Sequence, residues 1–271
     1  GADGFRWDTG PSWYLMPDAF EHFFRMLGTS SADELDLIRL DPAYRVFPED
    51  REAVDVSTGL AEVTELFESI EPGAGQQLRE YLDSAADSYR IAVERFLYTT
   101  FSSVRPFVHG DVLRRAVKLG RLLTGSLQDL VDSRFRDTRL RQILSYPAVF
   151  LSSRPSETPA LYHLMSHTDL VQGVFYPRGG FTAVVAALHR AAVGQGAQFR
   201  LGTLVTGITT VGNRATGVRI QTDDGHVEEL RADIVVSAAD LHHTETRLLP
   251  TELRTYPETY FARRDPGIGT V

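Results

Sequence analysis

The chain contains no cysteine, which excludes a disulfide framework, a thiolate metal site and a cysteine nucleophile. It has no apolar run approaching the roughly 18–20 residues that a membrane-spanning helix needs. Positive charge is in deficit: 28 Lys and Arg stand against 36 Asp and Glu, a formal net charge of −8, which argues against nucleic acid as a partner. G-x-S-x-G does not occur, so a hydrolase of that type has little to stand on. H-E-x-x-H does not occur either. His163 and His167 have the i, i+4 spacing of two ligands, but Leu164-Met165-Ser166 between them supplies no acid and no third ligand accompanies them. Packing or channel lining is the better reading of the pair, and no metal is expected. G-x-G-x-x-G is also missing. Its nearest approximation, Gly73-Ala74-Gly75, follows Pro72 between two helical patterns and not a strand. Gly1-Ala2-Asp3 opens straight into folded-type sequence, so no signal peptide is expected.

What is present suffices for a full core: 271 residues, 42% of them apolar, in one or two domains. Phe5 to Asp8 reads as a short strand running into a turn at Thr9-Gly10-Pro11-Ser12. Pro17 to Leu27 reads as a helix, with proline in its first turn, Asp18 and Glu21 at the positive end of the dipole and Gly28 after its end. Ser31 and Glu34 have the spacing of a capping box for a second, short helix. Tyr44 to Phe47 and Ala53 to Val56 are expected as strands. From Gly59 to Gly173 the pattern is almost all helix, interrupted by Glu71-Pro72-Gly73, Arg105-Pro106, Gly125-Ser126, Pro147 and Pro155. Asp111 to Leu123 sets apolar positions against Arg114, Arg115, Lys118 and Arg121, and residues 105–141 hold nine Lys or Arg and four Asp. Two readings stand for that helix: a solvated face, or a basic amphipathic element lying on an anionic bilayer.

The stretch from Gln172 to Asp240 is the most informative. Pro177-Arg178-Gly179-Gly180 cannot continue a regular element. Phe181 to Val193 carries apolar residues at 181, 184, 185, 188 and 192, the one-sided period of a helix packed on a sheet, and Gly194 and Gly196 stop it. Phe199 to Leu204 reads as a strand. Ala215 to Thr222 and Val227 to Leu230 read as a hairpin around Asp223-Asp224-Gly225, and Ile234 to Ala238 as a buried strand of small residues.

The strings YPRGGFTAVVAALHRAAVGQGAQFRLGTLVTGI, ATGVRI and ADIVVSAADLHHT resemble the middle of a carotenoid phytoene desaturase, within the FAD-dependent amine-oxidase-like flavoproteins. The opening GFRWDTGPSWYLMPDAFEHFF is similar to the segment that follows the flavin-binding N-terminus in the same family. The resemblance implies a mixed α/β (α+β) fold: a partial FAD-binding sheet domain with a large, mainly helical insertion for substrate and membrane. Residues 1–16 and 173–245 would belong to the FAD-binding domain, 17–172 to the helical substrate domain, and 246–271 would turn back toward the latter. Both the glycine-rich N-terminal turn and the C-terminal flavin segment of such enzymes are missing. The chain therefore reads as an internal fragment that is not expected to hold FAD tightly or to be active by itself.

The resemblance also assigns places. Thr9, Gly10 and Pro11 would lie near the flavin ring or its ribityl chain. Val205 would meet the adenine through its backbone, and Ala238 and Asp240 would approach the dinucleotide. Tyr176, Arg178, Gly179 and Gly180 would sit near the flavin or the mouth of the substrate channel. His242-His243 follows the last of these strands, near the cofactor by resemblance or a helix-start pair without chemistry. No residue is assigned a proton-transfer role, so the catalytic residues stay unknown. The implied chemistry is hydride removal to FAD with proton loss from the neighbouring carbon of a long apolar polyene such as phytoene, with the flavin carrying the hard step. The electron acceptor would be a quinone or oxygen. The expected location is the cytoplasm, peripheral on the inner face of the cell membrane. Rival readings are a carotenoid isomerase, saturase or ketolase on the same scaffold, and a non-catalytic polyene- or lipid-binding fragment.

Overall fold

The computed structural model describes residues 13–104 and 106–264, together with Gly4, Asp8, Gly10 and Pro11. The expected strand at Phe5 to Asp8 and the turn residues Thr9 and Ser12 fall wholly or largely outside the described residues. The chain divides into two compact units, Gly1–Gly194 with Ile268–Val271, and Gln195–Gly267.

The first unit is mainly helical. It opens with α1 (Pro17–Met26), whose first turn carries Pro17 and Asp18 and whose last carries Arg25, with Gly28 just beyond in a left-handed conformation (φ 80°). The short α2 (Ser31–Glu34) is capped by Ser30, whose hydroxyl accepts from Asp33 N at 3.1 Å. Ser31 is thus not the cap. Its N–H and hydroxyl both donate to Glu21 on α1, at 2.9 and 2.5 Å, because that carboxylate is already in place. Strands β1 (Leu37–Arg39), β2 (Tyr44–Val46) and β3 (Val54–Val56) follow. Next come α3 (Leu60–Ile70) and α4 (Ala74–Ile91), the latter widening into a π-type turn through Leu97.

The basic stretch forms two helices, α5 (Gly110–Arg114) and α6 (Ala116–Thr124), where the sequence pattern suggested one. The break falls at Arg115 (φ −108°, ψ 8°), whose Nε reaches Asp87 on α4 at 2.8 Å, as does Lys118 Nζ at 3.2 Å. Tethering these two cations to α4 competes with one straight helix. After α7 (Leu127–Asp132), α8 (Thr138–Ser145), two 3₁₀ segments and α9 (Met165–His167), a π-type turn at Thr168–Gln172 leads into β4 (Phe175–Pro177) and α10 (Phe181–Gly194).

The main core joins α3, α4, α7 and α8. Phe67, Leu78, Leu127, Phe135, Leu140 and Leu144 have no exposed surface. Phe135 meets Phe67 and Tyr81 edge-on at 5.7 and 6.3 Å, and each such side chain contributes about 1.5–3 kcal/mol by burial. A second core collects Tyr14, Phe24, Leu35, Val184 and Ala187 around β4. On α10 the buried side is Val184 and Ala187, while Val185 and Val193 face solvent. The apolar period therefore marks two faces, of which one is covered within this unit.

The second unit is built on an antiparallel meander, β5 (Thr203–Val211), β6 (Arg214–Thr222) and β7 (Val227–Arg231). The β6–β7 hairpin turns at the expected Asp223-Asp224-Gly225, with Gly225 N donating to Thr222 O at 2.8 Å. The two-residue turn at Gly212-Asn213 (Gly212 φ 58°) extends β5 well past Leu204. Two expectations fail here. Phe199 to Gly202 precede the strand, and Ile234 to Ala238 form no ladder, with Ile234 and Val236 80% and 84% exposed. A strand needs a neighbour for its N–H and C=O groups, and among the described residues no ladder partner lies beside either segment.

Gly217 is where the meander's two hairpins meet. Its φ is 156°, and a Cβ there would lie 2.0 Å from the Leu230 carbonyl oxygen, a backbone atom that cannot swing aside. Gly217→Ala should therefore destabilise the second unit by more than about 1 kcal/mol. Urea unfolding followed through that unit reads this directly, and a midpoint unchanged from wild type would contradict the close approach.

Candidate active site

In the first unit the structure joins the two ends of the expected site through one carboxylate. Asp8 Oδ2 accepts from the Tyr176 hydroxyl at 3.0 Å and Oδ1 accepts from Phe181 N at 3.0 Å, the first amide of α10. A negative charge there complements the helix dipole. Gly180 has φ 80°, and a Cβ on it would come within 2.9 Å of Asp8 Oδ1 and 3.2 Å of the Tyr176 hydroxyl, so the loop requires glycine. Gly179 shares the turn in a left-handed conformation (φ 92°), and Gly10 and Pro11 lie exposed just after Asp8 in the chain. Arg178 turns outward, its Nε bonded to Asp36 at 2.6 Å. Thr9 lies outside the described residues.

Val205, Ala238 and Asp240 belong to the second unit. Val205 pairs with Ile220 in the β5–β6 ladder. Ala238 lies exposed in the unpaired segment after β7. Asp240 Oδ1 accepts from His243 N at 2.8 Å and so caps the short helix α11 (Leu241–His243). His242 Nε2 lies 3.0 Å from Glu258. A cleft of about 1380 Å³ opens on this unit between the meander and Arg247–Pro250, lined in part by Arg214, Arg219 and Glu229.

His163 and His167 have separate surroundings. His163 is buried, and burial holds it down to about 4, so the ring is neutral. Nδ1–H donates to Leu161 O at 3.3 Å, which leaves Nε2 to accept from Ser84 Oγ at 3.0 Å. His167 packs against the Tyr89 ring at 5.5 Å.

A further group, which no sequence motif marks, is a buried carboxyl. Asp169, in the turn after α9, is 3% exposed. Its Oδ2 accepts from the Tyr44 hydroxyl at 2.9 Å, whereas Oδ1 has no hydrogen-bond partner among the described residues. Trp13 stacks on Tyr44 at 5.1 Å, and Tyr146 lies 5.4 Å from Trp13 and 5.8 Å from Tyr44. Burial pushes the Asp169 carboxyl up to about 7, against the opposing effect of the Tyr44 hydrogen bond. Burial and the nearby carboxylate push the Tyr146 phenol up to about 12, and Tyr44 is raised further by the same causes. The one hint in the sequence is a lone acid between Thr168 and the apolar pair Leu170-Val171, where a solvated face would carry several.

The model of flavin-containing amine oxidoreductases matches residues 1–264. The chain belongs to that family. It is 41% identical over 259 residues to a carotenoid 3,4-desaturase of Haloarcula japonica, covering 96% of this chain and 51% of the relative. It is 34% identical over 253 residues to a zeta-carotene-forming phytoene desaturase of Myxococcus xanthus (93% and 48% covered), and 36% identical over 255 residues to a phytoene dehydrogenase of Streptomyces griseus (91% and 49%). The chain spans about half the length of the curated relatives it matches. A crystal structure of an oxidoreductase from Methanosarcina mazei, 17% identical, superposes with a TM-score of 0.52 over 93% of this chain and 50% of that one, which establishes a shared fold.

The described residues do not make a complete dinucleotide site. A pyrophosphate needs a turn of free N–H groups at a helix N-terminus, and among the described residues the two glycine pairs that open a helix are both served: Asp8 accepts from Phe181 N after Gly179-Gly180, and the pair Gly73 and Gly75 is taken by Glu68. Glu68 accepts from Gly73 N at 2.9 Å and from Gly75 N at 3.0 Å. Those amides are therefore already paired within the turn.

The buried carboxyl predicts a pH signature. From the ordinary aspartate value of 3.8 up to about 7, the folded chain holds a proton that the unfolded chain has released. Stability therefore falls as pH rises through this window, by up to ~1.4 kcal/mol per pH unit, and levels off above it. Asp169→Asn keeps the shape without the titration. Its stability relative to wild type should climb between pH 4.5 and 7 in urea unfolding; a constant difference would show that the carboxyl titrates normally.

Proposed function

We propose that this chain is part of an FAD-dependent carotenoid desaturase, which dehydrogenates phytoene or a related polyene in carotenoid biosynthesis. The observation that carries the reading is the similarity to three curated carotenoid desaturases and dehydrogenases, each covering at least 91% of this chain. The half-buried Asp8–Tyr176–Gly180 joint supports it by linking the opening segment to the loop assigned to the channel mouth. The FAD site would be completed by further residues of the intact enzyme, since the chain spans about half the length of these relatives. The test is the intact reading frame reconstituted with FAD, phytoene in liposomes and a quinone or oxygen as acceptor. Red-shifted polyenes separated by chromatography are the expected products. Unchanged phytoene with flavin properly bound would overturn the substrate assignment.

Such a substrate is dissolved in lipid, and we infer that the first unit docks peripherally on a bilayer on the cytoplasmic side. An exposed apolar lip supports this: Phe101, Val104, Phe107 and Val108 are 59%, 72%, 50% and 58% exposed, with Val117 at 72% on α6. Phe96 and Phe107 lie 5.2 Å apart, so the lip is locally packed. Arg114 and Arg121 stand exposed beside it, while Arg115 and Lys118 are committed to Asp87. Among the described residues no helix is long and apolar enough to cross a membrane. Phe101→Ser and Phe107→Ser should each weaken binding to anionic vesicles roughly tenfold in a flotation assay. Binding unaffected by either would place the contact elsewhere.

A further inference from the structure

We propose that the cleft of the second unit, between the β5–β7 meander and Arg247–Pro250, is a binding site for a phosphate-bearing anion held by Arg214, Arg231 and Arg247. The FAD reading above gives none of these residues a role, and the inference does not depend on the polyene substrate.

Charge is the first indication. Four arginines line the cleft, Arg214, Arg219, Arg231 and Arg247, against two acids, Glu229 and Asp233. Glu229 is committed to Arg219, whose Nη2 lies 3.1 Å away. The guanidinium groups of Arg214, Arg231 and Arg247 have neither an ion pair nor a hydrogen bond among the described residues. Asp233 is thus left to oppose three cations, in a chain whose formal net charge is −8. Converging like charges repel one another until an anion enters, and a concave wall focuses their field on it.

The sheet beside these arginines is irregular at two places, both in the wall of the cleft. Val205 and Gly207 pair with Ile220 and Arg219, and Thr209 and Thr210 pair with Gly217 and Ala215. Thr206 and Thr216 are therefore each an extra residue in the β5–β6 ladder, and both line the cleft. Bulges of this kind re-aim side chains. Thr216 Oγ1 donates to Thr209 Oγ1 at 3.3 Å, which leaves the Thr209 proton for an outside acceptor. A guanidinium fork pairs with two oxygens of one phosphate, and a diphosphate offers several such oxygens in a small volume. The cleft, about 1380 Å³, has room for the organic part of such a ligand as well. A soluble diphosphate and the headgroup of an anionic lipid present the same chemistry to these arginines.

The test uses the intact reading frame loaded with FAD, so that the dinucleotide site is filled. Inorganic pyrophosphate, titrated by calorimetry, should bind roughly tenfold tighter than citrate, which spreads a similar charge over carboxylates. Arg231→Ser and Arg247→Ser should each weaken pyrophosphate roughly 10- to 100-fold, the worth of one charge-assisted hydrogen bond. Arg200→Ser removes an equal charge from the Arg200–Glu228 pair outside the cleft, and should change binding less than about twofold. The comparison with citrate needs no variant and stands even where one folds poorly. Flotation with phosphatidylglycerol vesicles separates the two sources of phosphate. Vesicle binding that falls in both cleft variants and is competed by pyrophosphate identifies a lipid headgroup, whereas vesicle binding unchanged in them identifies a soluble diphosphate. Absence of pyrophosphate binding, citrate bound as tightly, or equal losses in all three variants overturns the inference, and leaves the desaturase reading where it stands.

Discussion

Strand β4 is the seam on which the first unit closes. Phe175 exchanges both backbone hydrogen bonds with Tyr14, at 2.8 and 3.2 Å, and Phe175 to Pro177 pair antiparallel with Leu37 to Arg39. Leu40 N adds a bond to Val174 O at 2.9 Å. These few contacts bring together residues 14, 37–40 and 174–177, and the helical block between them is held as one long excursion. The entropy of closing a loop grows only slowly with its length, so a short seam suffices once the helices bury their own core. Phe67, Tyr81 and Phe135 provide that core.

The seam also sets the chemistry around it. The loop after β4 must turn sharply to start α10, and Gly179 and Gly180 allow it. Asp8 then finds both the Tyr176 hydroxyl and the first amide of α10 within reach. On the other side, the turn that precedes β4 carries Asp169 inward against Tyr44. One short strand thus orients two acidic groups with opposite fates. Asp8 is satisfied on both oxygens, and Asp169 is left with one oxygen bare in an apolar setting.

The second unit illustrates a different constraint. Its meander closes by local turns at Gly212-Asn213 and Asp223-Asp224-Gly225, so it pairs without help from distant sequence. Segments 199–202 and 234–238 have strand-like composition, yet they join no ladder. A strand is a relation between two pieces of chain, and composition supplies only one of them. The exposed Leu201, Ile234 and Val236 mark where that relation is missing among the described residues.

What the sequence alone determined was whatever is encoded locally. The helix at Pro17 follows from proline, charge and the Gly28 stop, the Asp224-Gly225 hairpin from its turn residues, and α10 from its apolar period, because capping, turn geometry and side-chain period act within a few residues. The family was legible for the same reason, in contiguous strings such as YPRGGF and TLVTGI. The break at Arg115 depended on Asp87, 28 positions away, the capping of α2 on a competing bond to Glu21, and the carboxyl at 169 on Tyr44, 125 positions away. The tertiary structure alone decided these, since burial and pairing are set by which distant groups arrive together, and no local pattern carries that information.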